Sequence, residues 1–423
     1  LRSHSYVIHH GALGIARNLG QAGVPVYAIV EDRFTPLALS RYLARRFVLT
    51  PADFSDEGRL LSALLAIGKS LSQPVILVPT DDRAAVIMAE HAHQLRPWFL
   101  FPDVPEELPR QLADKASLYA LCRKSGTPCP EDVVPKSIDD VHEFIARAKF
   151  PVAVKVAANW RRSACVRVTQ IVRTAGELAA LFDCIDDDDW KNPNIIIQEY
   201  IPGEDWIVHG YSSQKTGCFL AFTGRKLRSY PAFAGLTTLG VPVVNEPLAS
   251  QIEQFVNAVG YSGIMDIDCR FDSRDGKYKL LDFNPRVGMN FRMFDDQAGN
   301  NAVRALHLDL TGRPVAPAPL VEGRVFIAEP FDLLASLSYL HERKLTPAQL
   351  LSSWRGPKEL AWFSWRDPLP FLSMCVRLLP NIVFRLGRAG LGSLAARRQA
   401  NNNSPPAASH RPASRGRFRR ARS

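Results

Sequence analysis

Residues 263–286 read GIMDIDCRFDSRDGKYKLLDFNPR, two runs of alternating apolar and polar residues around Asp275-Gly276. A period of two marks strands with one buried face, and Asp-Gly between two such runs specifies an antiparallel hairpin. In the first run Met265, Ile267, Cys269 and Phe271 share a face, opposite Asp266, Asp268 and Arg270. Strict alternation puts Leu281 and Phe283 on the core face of the second run, and Tyr278, Leu280, Asp282 and Asn284 on the other. The hairpin therefore gathers Asp268, Asp282 and Asn284 on one face, with opposed side chains about 5 Å apart. Two carboxylates that close repel unless a proton or cation lies between them. Few, hard oxygen donors suit Mg²⁺, which fills its octahedron with water and phosphate oxygens. Pro285 stops the strand and Arg286 follows, a guanidinium placed to meet a phosphate held through that ion. A solvated strand face carrying ordinary charge is the competing reading of the hairpin taken alone.

The rest of the chain supplies a setting. The first hundred residues alternate short apolar runs with helix-period segments: a strand before Gly11, a helix ending at Gly23, a strand at 24–30, the buried run PVILVP at 74–79, and a helix from about Arg83 to Gln94. Strands alternating with helices imply a parallel sheet and an open α/β domain. Gly11 and Gly14 lack the third glycine of a dinucleotide loop. A second unit begins near Phe101-Pro102. It contains a helix stopped at Gly126, the strand FPVAVKV at 150–156 with Lys155 in an apolar run, its partner VRVTQIV at 166–172, and two strands in 194–213 joined through Pro202-Gly203. A charge in an otherwise apolar strand needs a reason, which singles out Lys155.

With these segments in order, the chain resembles the ATP-grasp superfamily, in particular its carboxylate–amine ligase branch, which includes D-alanine–D-alanine ligase-like and carbamoyl-phosphate-synthase-like enzymes. The resemblance covers about residues 5–315 and rests on a leading strand–helix–strand, DK at 114–115, PVAVKV at 151–156, IIIQEYIPGE at 195–204 and GIMDIDCRFD…LLDFNPR at 263–286. It implies a pre-ATP-grasp α/β domain over 1–102 and an ATP-grasp α+β domain over 103–315, with a smaller lid subdomain at about 115–200 and a larger one at 201–315. A mostly helical extension over 316–400 and a disordered basic tail over 401–423 complete the expected organisation. It also implies ATP between the two subdomains, with Mg²⁺ (Mn²⁺ as the alternative ion) bound by Asp268, Asp282 and Asn284. Lys115 and Lys155 correspond to the phosphate lysines. Glu199, Tyr200 and Ile201 border the base, Glu204 accepts from the ribose hydroxyls, and Arg286 contacts the transferring phosphate. In FTGRKLRSYPAFAG (222–235), Lys226 and Arg228 join Arg286 as catalytic candidates, beside Arg225, for phosphate or a substrate carboxylate.

The implied reaction activates a carboxylate as an acylphosphate and joins it to an amine, releasing ADP and phosphate. Amino acids or short peptides are the substrates that the family suggests. A carboxylase or kinase on the same site, or a non-catalytic nucleotide-binding relative, are the alternatives. Two departures from the family stand out. Asp occupies both acid positions where Glu is usual, and the loop AANWRRSACV (157–166) has no glycine to cover phosphates with backbone amides. There Arg161, Arg162 and Ser163 offer side chains instead.

Net charge, +10 overall, is misleading as a guide to partners. Residues 385–423 hold ten arginines and no acid, so the other 384 residues sum to about zero. The folded part is therefore not a basic protein, and no specific nucleic-acid partner is expected; attraction by the tail alone would be salt-dependent. Weak contact of 367–423 with an anionic membrane surface is an alternative to a solvated tail, and a homodimer is an open alternative to a monomer. Seven cysteines without a C-x-x-C pair argue for buried thiols in a reducing compartment. No run reaches the roughly 18 apolar residues of a membrane span, and no signal peptide is read at the start. A cytoplasmic location follows as the expectation, with peripheral attachment to the inner face of a membrane as its variant.

Overall fold

The computed structural model describes residues 10–157, 169–183, 190, 194–232 and 235–378. The run before His10, the glycine-free loop beyond Ala157 and the arginine-rich tail lie outside the described residues. The chain divides into a compact unit, Leu1–Met374, and a second from Cys375 onward. The first unit is described below.

The N-terminal part is α/β, as the alternation implies. The Gly11–Gln21 helix precedes β1 (Val26–Val30), which pairs in parallel with β2 (Leu43–Val48). A second parallel pair joins β3 (Val75–Ile76) to β4 (Phe99–Leu100). The run at 74–79, expected to be buried, is only part-buried and gives two paired residues before the chain turns into the Asp82–Glu90 helix, which Asp81 caps through the Ala84 amide at 2.9 Å.

Four strands form the smaller sheet: β5 (Asp132–Val133), β6 (Val152–Val156), β7 (Gln170–Val172) and β8 (Ile195–Glu199), in the order β5-β8-β6-β7, all antiparallel. Val152 and Val154 of β6 pack with Ile195 and Ile197 against Val141, Phe144, Leu178 and Phe182 of the two helices behind it. Lys155, one residue out of phase with these valines, is thereby turned to the other face. The helices are cleanly bounded: Ser137 and Thr174 cap their first turns.

The larger sheet has seven strands in the order β13-β12-β9-β10-β11-β14-β15. They are β9 (Gly203–Ser213), β10 (Cys218–Tyr230), β11 (Leu236–Pro242), β12 (Gly263–Asp272), β13 (Lys277–Asn284), β14 (Val325–Ile327) and β15 (Lys358–Leu360). Two boundaries drawn from the sequence move as a result. The strands β14 and β15 come from beyond residue 315, so the expected helical extension supplies the last two strands of this sheet. The Lys115–Ser125 helix, placed in the lid, belongs to the large core: Leu118, Tyr119 and Cys122 pack with Met265, Ile267, Phe255 and Phe283.

Buried ion pairs tie the extension down. Arg17 donates to Asp367 at 3.0 Å, and Asp367 also accepts from Ser40 Oγ at 2.8 Å and the Arg41 amide at 3.0 Å. Arg228 of β10 meets Asp332 of the Glu329–His341 helix with two hydrogen bonds, at 2.9 and 2.7 Å. Among the described residues no helix is long and apolar enough to cross a membrane.

Candidate active site

A cleft of about 980 Å³ lies between the two sheets, with β6 on one side and β9, β10, β12 and β13 on the other. Lys115, Lys155, Glu199, Tyr200, Ile201, Lys226, Asp268 and Asp282 all line it. Lys115 and Asp282, 167 positions apart, thus meet in it.

One end is built by the crossing from β8 to β9. The Glu199 carboxylate accepts from the Glu131 amide at 3.1 Å and pairs with Arg274 at 2.7 Å, which holds the crossing rigid. The Arg270 guanidinium lies 5.8 Å from the Tyr200 ring centre, and Ile201 is buried. Glu204 is not among the lining residues; it is exposed and paired with Arg225 at 2.5 Å. Its neighbour Asp205 lines the cleft instead, paired with Arg270 at 2.6 Å.

The other end carries the charge. Asp268 and Asp282 are directly opposed on the β12–β13 ladder, and Asn284 stands opposite Asp266. Lys226 reaches Asp268 at 3.0 Å, and Lys115 reaches Asp282 at 3.1 Å. Lys115 arrives there because Asp114 caps the helix through the Ser117 amide at 2.9 Å, which makes Lys115 its first residue. Burial raises the Asp268 carboxyl, Lys226 opposes this, and the charges of Asp266 and Asp282 add to the rise. Burial, with Lys115 nearby, pushes Lys155 down to about 8. Burial would also lower Lys226, but Asp268 and Asp205 outweigh it and hold the ammonium above its ordinary value.

The ladder differs from strict alternation at one point. Asp268 pairs with Asp282, but the next residue, Cys269, pairs with Leu280, so Leu281 is a bulged extra residue. Leu280 consequently enters the core, fully buried, and Leu281 lines the cleft. The sequence reading had these two leucines reversed. Nothing in the local sequence marks the bulge.

Arg228, a catalytic candidate by sequence, lies elsewhere. It does not reach the cleft: it is 3% exposed and engaged by Asp332 and Ser353. The irregular pairing of β10 with β11 around residues 226–229 turns it to the side of the Glu329–His341 helix, away from Lys226.

Asn284 and Arg286 stand at the end of β13, outside the lining of the cleft. Asn284 donates its amide to the Asp266 carbonyl at 3.0 Å, which fixes the orientation of the side chain. Arg286 bonds to the Asp266 carboxylate, and its Nε lies 3.2 Å from Asp82 Oδ1. His209 of β9, fully buried, meets Asp266 at 2.7 Å and Asn290 at 2.9 Å. Burial would raise Asp266, but His209 and Arg286 hold it well below the carboxylate range. Burial pushes Asp82 up to about 6 against the pull of Arg286. Gly288 is required here: a Cβ on it would lie 2.1 Å from His209 Cε1 and 2.5 Å from Asp266 Cγ. Sequence reasoning set Asp266 on the polar face but gave it no role, and nothing in sequence joins it to His209 or Asp82.

Among the described residues no group of three His, Cys, Asp or Glu side chains is arranged to hold a metal. The set that fits Mg²⁺ is two carboxylates, directly opposed on the ladder, and an amide oxygen. That donor chemistry suits a hard divalent cation.

No family model matches the chain. The D-aspartate ligase of Enterococcus faecium is 24% identical over 292 residues, covering 65% of this chain and 68% of that protein. Among solved structures, the L-amino acid ligase of Bacillus licheniformis superposes with a TM-score of 0.54 at 16% identity, over 71% of each chain. The biotin carboxylase domain of Hydrogenobacter thermophilus 2-oxoglutarate carboxylase, in complex with MgADP, ADP and bicarbonate, superposes with a TM-score of 0.56 at 14% identity. That match covers 75% of this chain and 71% of the carboxylase domain. The fold is that of the ATP-grasp enzymes.

Proposed function

We propose that this chain is an ATP-dependent carboxylate–amine ligase, ADP-forming, with MgATP in the cleft between the two sheets. The observation that carries the reading is the opposed pair Asp268 and Asp282, each bridged by a lysine from a different element, at the far end of a cleft whose near end is the Glu199–Ile201 crossing. The base lies against Tyr200, Ile201 and Leu281. Asp205, which lines the cleft, takes over the hydroxyl-accepting role first given to Glu204. Lys115, Lys155 and Lys226 face the phosphates, and Asp268, Asp282 and Asn284 hold Mg²⁺, which supplies charge neutralisation on the phosphate oxygens.

The chain's own residues do little covalent chemistry in this scheme. They align a carboxylate oxygen with the γ-phosphorus, so that the new O–P bond forms as the bond to the leaving ADP oxygen breaks. Lysine and arginine take up the charge spread over the transferring group. The amine then attacks the acyl carbon, phosphate departs, and the nitrogen loses a proton to leave the amide. Likeness to D-aspartate ligase and L-amino acid ligase points to an amino acid as one substrate.

The test is ADP release from ATP in a matrix of acids, starting with D-aspartate and L-amino acids, against amino acid and short-peptide amines. Mass spectrometry follows on every pair that responds. Amide product with stoichiometric ADP is the expected result. ADP release with bicarbonate and no amide would make the protein a carboxylase, and tight nucleotide binding without ADP release would make it a non-catalytic relative.

A further inference from the structure

Arg286 stands between two carboxylates that hold it unequally. Toward Asp266 it makes a hydrogen-bonded ion pair, and Asp266 is itself backed by His209 at 2.7 Å, which Asn290 fixes at 2.9 Å. Toward Asp82 it makes an ion pair at 3.2 Å without hydrogen-bond alignment, and the buried Oδ1 of Asp82 accepts no hydrogen bond. Asp266 is rigid, in the middle of β12, with the backbone of Gly288 pressed against it and His209. Asp82 stands at the first turn of a helix in the N-terminal α/β part, reached by the loop after β3. Arg286, with both partners engaged, is not among the residues that line the cleft.

We propose that the two carboxylates on Arg286 do opposite work: Asp266 is a positioning residue that keeps the guanidinium at the reaction centre, and Asp82 is a displaceable partner that the transferring phosphoryl group replaces. The inference rests on the nucleotide reading above. A guanidinium has two edges; Asp266 Oδ2 takes one NH of Arg286 while its Oδ1 meets His209, and the Nε edge is left for an anion. The Asp266 edge is satisfied and braced. The Asp82 edge is misaligned, and its acid is poorly compensated by its surroundings, as the upward shift of its carboxyl to about 6 agrees. An equatorial oxygen of the phosphoryl group offers the aligned acceptor that Asp82 does not. Since Asp82 belongs to the N-terminal part, exchange at Arg286 would also report to that part that the γ-phosphate is in place.

The two acids then give opposite signs in one experiment that needs no substrate. The full chain is titrated by calorimetry with MgADP, and with MgADP plus aluminium fluoride, which mimics the phosphoryl group in transfer. Asp266→Asn should leave MgADP affinity within about twofold and weaken the aluminium fluoride complex by about tenfold or more. Asp82→Asn should tighten that complex by about threefold or more, because the competitor for Arg286 is gone. Should Asp266→Asn fail to fold, the sign for Asp82→Asn decides. If Asp82→Asn weakens the complex, or both variants lose MgADP and the complex alike, the residues are merely structural and the proposal is overturned. Failure of the unmodified protein to take MgADP would overturn the nucleotide reading as well.

Discussion

Asp268 and Asp282 face each other across the β12–β13 ladder, and each is paired with a lysine from elsewhere, Lys226 at 3.0 Å and Lys115 at 3.1 Å. The four groups form a run of alternating pairs, Lys115–Asp282 opposed to Asp268–Lys226. On the proposed reading, MgATP would bring both a cation for the acids and anions for the lysines, so binding would exchange one set of pairs for another without stranding a buried charge. This is a physical reason why metal and nucleotide should bind together rather than singly.

Removing one of these groups should end catalysis and spare the fold. For Asp282→Ala, ATP turnover should fall by at least about 100-fold, the scale for loss of a preorganised electrostatic partner. Asn284→Ala should behave alike. Far-UV circular dichroism and a melt establish that each variant is folded, and unchanged turnover in either would remove the metal-site assignment.

The bulge at Leu281 makes two adjacent leucines separable. Leu280→Ala deletes side-chain volume from a fully buried site and should cost about 2–5 kcal/mol of stability. Leu281→Ala should cost less stability and instead weaken nucleotide binding. Urea denaturation and MgADP titration of both variants test this, and strict alternation predicts the reverse assignment.

Lys155 is pushed down to about 8 by burial, from an ordinary value of 10.5, with Lys115 adding to the shift. A bound phosphate favours the charged ammonium, so binding raises this pKa. Nucleotide binding above pH 8 should therefore take up protons, and affinity should fall with rising pH there, by up to about tenfold per unit. Calorimetry at pH 8.5 in two buffers of different ionisation enthalpy measures the uptake. In Lys155→Met the uptake should vanish.

Arg228 should prove structural. It and Asp332 are 3% and 1% exposed, and breaking a buried pair by removing one partner costs about 3–5 kcal/mol. Arg228→Met should lower the denaturation midpoint strongly while MgADP affinity at a permissive temperature stays near that of the unmodified chain. A large loss of affinity with no loss of stability would return Arg228 to the site.

How far the sequence carried can be read from particular residues. Alternation in 263–286 fixed the hairpin and the common face of Asp268, Asp282 and Asn284, because a period of two depends only on local backbone geometry. The apolar run around Lys155 and the Asp114-Lys115 pair before a helix were equally local signals, and both lysines came to the cleft. Asp205 in place of Glu204, and Leu281 in place of Leu280, were decided by register, where a single bulge or offset moves a side chain to the opposite face. Arg228 was decided by a helix more than a hundred residues away, whose Asp332 captured it. The link from His209 through Asp266 to Arg286 and Asp82 joins three distant segments, and only tertiary packing could bring their charges together. The sequence by itself determined which chemical groups each strand and helix presents, since those patterns are short-ranged; the tertiary structure decided which of those groups meet, since burying a charge is tolerable only beside the partner that folding delivers.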